Sequence, residues 1–141
     1  MGSPASPGAP ARTPEPRLLW VDCMAGALAG VLVLAFSGWL GRLHGLPQGV
    51  LILLGTANLV YATYSFSLAR SAGRTPFQIA VLVYANAAWA VVCLGLAVRY
   101  WERASAFGYV HLVGEAIFVG GLAALQWGQR KRLVSEVRKG A

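Results

Sequence analysis

Glu115 is a lone acid inside an apolar stretch, and His111 stands four residues before it. Residues at i and i+4 share one face of a helix, and Phe118, Leu122 and Gln126 continue that face. An imidazole beside a carboxyl can pass a proton near neutral pH, the elementary step of general acid–base chemistry. Two other apolar stretches carry an amide each, Asn58 and Asn86, with Tyr61 and Trp89 on the neighbouring positions of the same stripes. Amides can orient a substrate or stabilise developing negative charge. The indole and phenol would form an aromatic wall.

These residues stand out because of their surroundings. A charged group at bilayer depth costs about 2.5–3.5 kcal/mol even on the lenient insertion scale, so it is kept for a reason. Asn, His and Glu also tie helices together in lipid, at about 0.6–2 kcal/mol each. That role accounts for Asn58 or Asn86 as readily as function does. It accounts less well for Glu115, since helix tying does not require an acid.

The elements that position these residues are membrane-sized. Of 141 residues, 57% are hydrophobic and 12% charged, and the charges are pushed to the ends and the joints. Stretches free of Asp, Glu, Lys and Arg run from Cys23 to Gly41, Leu43 to Ala69 and Thr75 to Val98, and one from Ala104 to Gly128 is broken by Glu115 alone. About 20 apolar residues cross a hydrocarbon core, so four crossings fit and a fifth does not. The expected fold class is all-α: a polytopic membrane protein built as an up-down-up-down four-helix transmembrane bundle, with spans at about 18–40, 50–69, 77–100 and 107–129. Gly26 and Gly30 in the first span have the small-xxx-small spacing of a close helix contact.

Counted at 1.5 Å per residue, Glu115 and Asn58 lie roughly 12 Å inside one boundary, and Asn86 roughly 13 Å from the other in a core of about 30 Å. The three spans therefore offer their polar groups at similar depth. Pointing them at lipid is expensive, so convergence in the bundle is the expected arrangement.

Residues 1–17, rich in Pro, Ala, Ser and Gly, read as a disordered tail, and 130–141 as a basic amphipathic stub. A cleaved signal is disfavoured because the apolar run continues past the small-residue site Ala25–Ala27 to Leu40. Nine Lys and Arg fall on the side of the termini and the second joint, against Arg42, Arg99 and Arg103 on the other. The positive-inside bias thus places both termini in the cytoplasm. Trp20, Trp39, Tyr100, Trp101 and Trp127 sit near span ends as interfacial anchors. Asp22, in the first turn of the first span, is expected either to pair at the interface with Arg70, Arg74 or Arg130 or to be favoured there by the helix N-terminus.

Several classes are excluded. Four spans leave no room for a soluble catalytic or nucleotide-binding domain. The net charge of +7 flanks apolar spans and reads as topology, not nucleic-acid binding. Cys23 and Cys93 form no CxxC, and two histidines, with His44 in a joint, fall short of a metal set; no metal and no cofactor are expected. In layout the chain resembles small bacterial four-span membrane proteins, DoxX-like proteins among them, a likeness that implies the architecture and carries no activity.

The expected function is that of a small protein of a cell membrane, the bacterial inner membrane being favoured by the compact multi-span form. Its intramembrane site would bind or transform a lipophilic small molecule. Glu115 and His111 are the catalytic candidates, and Asn58, Asn86, Trp89 and Tyr61 the substrate-binding ones. The rivals are a non-catalytic accessory subunit touching membrane lipid or a partner through the basic stub, and a proton-coupled transport subunit, for which a homodimer or larger complex is expected.

Overall fold

The computed structural model describes residues 15–71 and 73–135, which form five helices: α1 (Glu15–Ala35), α2 (Ser37–His44), α3 (Gln48–Arg70), α4 (Pro76–Arg99) and α5 (Ala106–Ser135). The fold is all-helical, as expected. Three helices, α3, α4 and most of α5, are long and apolar enough to cross a membrane, or four spans can be counted if the bent pair α1–α2 is one.

That bend corrects the first expected span. The helix stops at Ala35, and α2 leaves it at 88°. Phe36 departs from helical geometry (φ −109°, ψ 15°), and the residues that follow are amphipathic, not uniformly apolar. Ser37, Gly41 and His44, spaced four and three apart, are all buried. A helix with that single face has to lie across the end of the bundle to cover it. Its last carbonyls are satisfied from the α4–α5 loop, where Ser105 donates its N–H to the His44 oxygen (2.8 Å) and its hydroxyl to the Leu43 oxygen (2.6 Å). Gly45 follows at φ +65°, the left-handed conformation that ends helices on glycine.

α1 packs along α3, and α4 along α5, giving two hairpins. Small residues bring the first pair close. A Cβ on Gly30 would stand 2.7 Å from Leu59 Cγ and 2.9 Å from the Gly55 oxygen, so the Gly26/Gly30 spacing is a packing face. Thr75 and Gln78 form a capping box at the start of α4, with Pro76 in its first turn. Arg74 folds back to donate to the Leu68 and Ala69 oxygens at the end of α3 (2.8 and 3.3 Å).

The hairpins themselves meet mainly through side chains. Apolar clusters close both ends: Leu51, Leu54, Cys93, Leu112 and their neighbours near α2, and Leu19, Leu68 and Leu82 near the opposite end. Between these lies a polar layer. Many large apolar side chains face outward, Val60, Val91, Val98 and Ile117 among them, each at least two-thirds exposed.

Two boundaries also differ from expectation. α1 begins at Glu15, so residues 15–17 belong to a helix and not to the tail, whose remainder lies outside the described residues. α5 runs on to Ser135, so the first part of the basic stub continues the last helix; the rest of the stub lies outside the described residues.

Candidate functional site

Glu115 sits on α5 where that helix faces both hairpins. Its Oε1 accepts from Asn58 Nδ2 of α3 (2.7 Å) and from Trp89 Nε1 of α4 (2.8 Å). Its Oε2 faces His111 Nε2 one turn away, at 3.2 Å. Asn58 also donates to the Leu54 oxygen (3.0 Å), which fixes the direction of its amide. Four of the six residues singled out from the sequence, on three different helices, thus share one carboxyl.

The other two, Tyr61 and Asn86, belong to a second cluster, centred on Asp22. Asp22 Oδ2 accepts from the Tyr61 hydroxyl (2.8 Å), the Ser65 hydroxyl (3.2 Å) and Gln126 Nε2 (3.0 Å). Asn86 Nδ2 donates to the Tyr61 oxygen and to Gln126 Oε1 (3.2 Å). All four long helices contribute: Asp22 from α1, Tyr61 and Ser65 from α3, Asn86 from α4 and Gln126 from α5. Asp22, Asn86 and Gln126 are each no more than 2% exposed.

This corrects the reading of Asp22 as an interfacial partner of arginine. Among the described residues the one acid–base pair within 4.0 Å is His111–Glu115. Arg74 is engaged with the end of α3, and Arg130 lies over the Trp127 ring. The physical reason is the position of the helix start. With α1 beginning at Glu15, Asp22 is two turns inside it and too deep to meet arginines at the end.

His44 is the other residue that sequence reasoning passed over. The sequence sets it in a joint, but it closes α2, is 6% exposed, and places Nε2 3.3 Å from His111 Nδ1. The two rings are 5.0 Å apart and nearly perpendicular. The signal that could have found it is the Ser37, Gly41, His44 periodicity.

A cavity of about 360 Å³ opens between α1 and α5. Its wall includes both carboxyl-bearing residues, Asp22 and Glu115, together with His111, Asn58 and Tyr61. The rest of the wall is small or apolar: Ala25, Gly26, Ala29, Val110, Gly114, Phe118 and Val119. A second cavity, about 370 Å³, lies between α3 and α4, with Asn58, Tyr61, Asn86 and Trp89 as its polar edge. The polar layer therefore separates two apolar recesses. A molecule in the first could meet Glu115 or His111 as a proton donor or acceptor, with hydrocarbon-compatible surface around the rest of it. Among the described residues no group of three or more His, Cys, Asp or Glu is placed to hold a metal ion.

No protein-family model, curated protein or solved structure matches this chain.

Proposed function

We propose that this is a four-span membrane protein, of a bacterial inner membrane, that binds a lipophilic small molecule in the cavity between α1 and α5 and exchanges a proton with it through Glu115 and His111. The observation that carries the reading is the placement of the only described acid–base pair in the wall of a recess whose other polar groups, Asp22, Asn58 and Tyr61, stand beside small or apolar side chains. Glu115 acts as the proton donor or acceptor and His111 supplies or removes its proton. Asn58 and Trp89 hold the carboxyl in place, so it meets a ligand without reorganising. Tyr61 lines the same cavity and is fixed by Asp22, and Asn86 stands behind it, bonded to Tyr61 and Gln126.

The outward apolar side chains suit a lipid surround, because contiguous exposed apolar area is otherwise rare in stable monomers. The nine-against-three distribution of Lys and Arg supports cytoplasmic termini. In this setting α2 lies in the opposite interface, with Trp39 and Leu43 exposed on the face turned away from the bundle.

The test is organic extraction of the purified protein followed by mass spectrometry, wild type against Glu115→Gln. Gln keeps the size and can still accept from Asn58 and Trp89, but it carries no ionisable proton. The expected result is a lipophilic compound at near-stoichiometric amount in the wild type and at least tenfold less in the variant, with thermal stability retained. Equal recovery from both, or none from either, counts against the proposal. The same acid–base pair supports a proton-coupled transport subunit as the second reading. Proteoliposome flux driven by a proton gradient and lost in Glu115→Gln would establish that one instead.

A further inference from the structure

His44, His111 and Glu115 make a continuous line, and the hydrogen positions along it are constrained by what each partner can do. His44 Nδ1 lies 2.7 Å from the Leu40 oxygen. A carbonyl only accepts, so Nδ1 carries a hydrogen. Between His44 Nε2 and His111 Nδ1 (3.3 Å) one hydrogen is needed: two would clash and none would oppose two lone pairs. The same holds between His111 Nε2 and Glu115 Oε2 (3.2 Å). The three contacts together therefore hold three protons. Two neutral imidazoles and a carboxylate hold two. The line closes only when it carries one extra proton, which leaves the three side chains neutral as a group.

That extra proton has three equivalent homes. It can sit on Glu115 as a carboxylic acid, on His111 as an imidazolium, or on His44 as an imidazolium, and all three hydrogen bonds survive in each case. Passing between them needs a hop within an existing bond and a small contraction of gaps that are at the long end of the range. We infer that His44, His111 and Glu115 form a proton relay connecting the α2 end of the molecule to the acid in the cavity wall, with His44 as its outer station: His44 Nδ1 lets go of the Leu40 oxygen to take a proton from water or give one up, and the charge then moves by one hop across each of the two inner contacts. His44 is one residue from the exposed Gly45 turn. α2 is held there by Ser105, and a Cβ on Gly108 would stand 2.3 Å from the His44 oxygen, so the close seat of α2 on α5 is built into the sequence.

The groups facing the relay from the packed elements do not break it. Asn58 of α3 and Trp89 of α4 donate to the other oxygen of Glu115. Cys93 of α4 lies near Glu115, and Asp22 of α1 shares its cavity. Arg42 of α2 and Arg103 of the α4–α5 loop are exposed.

His44 acts through His111, so its test needs a readout that packing alone does not move. In wild-type protein with ¹⁵N-labelled histidine and ¹³C-labelled glutamate, ring and carboxyl shifts count the protons on the three side chains at pH 7. The relay requires three. A count of two, with ionised Glu115 and two neutral rings, overturns it. The second arm is the rate at which the Glu115 infrared carboxyl signal follows a pH jump. His44→Gln keeps a hydrogen-bonding side chain but cannot hand on a proton, and it should slow that response at least tenfold while leaving the melting temperature nearly unchanged. An unaltered rate in a folded variant overturns the relay. Where His44→Gln fails to fold, the wild-type proton count decides alone. Both arms are run without ligand, so they stand apart from the extraction experiment.

Discussion

Asp22 accepts three hydrogen bonds on one oxygen, from two donors on α3 and one on α5. Replacing it with Leu leaves the Tyr61 and Gln126 donors without their acceptor, while the Ser65 hydroxyl keeps the Leu19 oxygen (3.3 Å), and each orphaned group costs about 1–3 kcal/mol. Asp22→Leu should therefore lose roughly 3 kcal/mol or more, a fall in melting temperature on the order of 10 °C in detergent. Asp22→Asn retains an acceptor oxygen and should lose less than half of that. Glu115 is expected to behave in the opposite way, since its Gln variant keeps both Oε1 contacts. A Glu115→Gln protein that melts as early as Asp22→Leu would make Glu115 a helix tie and remove the main support for a ligand site. The two acids look alike by composition. What distinguishes them is that Glu115 faces a second titratable group and Asp22, among the described residues, faces only neutral donors.

The hairpin α1/α3 depends on glycine where backbones touch. Gly30→Val drives side-chain atoms into Leu59 and the Gly55 oxygen, and overpacking of this kind costs about 1–3 kcal/mol. Gly95, by contrast, has nothing within 4 Å of an added Cβ. Gly95→Ala should be neutral or stabilising by up to about 1 kcal/mol, as expected for a helix interior. Thermal unfolding of the pair checks both signs at once. The small-residue spacing in α1 was legible in the sequence because it is a local pattern. The bend at Phe36 was not, since Cys23 to Gly41 is free of charge and reads as one span by hydropathy alone. Part of its cause lies in a contact between distant parts of the chain: Ser37 and Gly41 are covered by Leu46 and Gln48 at the start of α3, but His44 is buried only once the α4–α5 loop and the start of α5 are in place.

At the scale of the molecule, two apolar ends enclose a polar middle where the hairpins meet through hydrogen bonds and not through close backbones. Such a seam is specific, because every buried amide in it must find its partner, and it leaves recesses on either side. Topology is the property to test here. Gly73 lies in the joint between α3 and α4, and Glu102 in the joint between α4 and α5, both exposed. If both termini are cytoplasmic, as proposed, Glu102→Cys should react with a membrane-impermeant thiol reagent in intact cells, and Gly73→Cys only after lysis. The reverse pattern would invert the orientation.

Helical class, the number of apolar stretches and the list of polar groups inside them were determined by the sequence, because charge placement and hydropathy are local properties. Glu115 with His111 was legible for the same reason: both are on one helix, four residues apart. Asn58 and Trp89 could be set at a matching depth but not joined to Glu115, since depth along a helix says nothing about its rotation. Only the packing of the two hairpins decided that Tyr61 bonds Asp22 and not Glu115, and that Asn86 bonds Tyr61 and Gln126. Only the seating of α2 across the bundle end brought His44 to His111, a contact spanning 67 positions of chain.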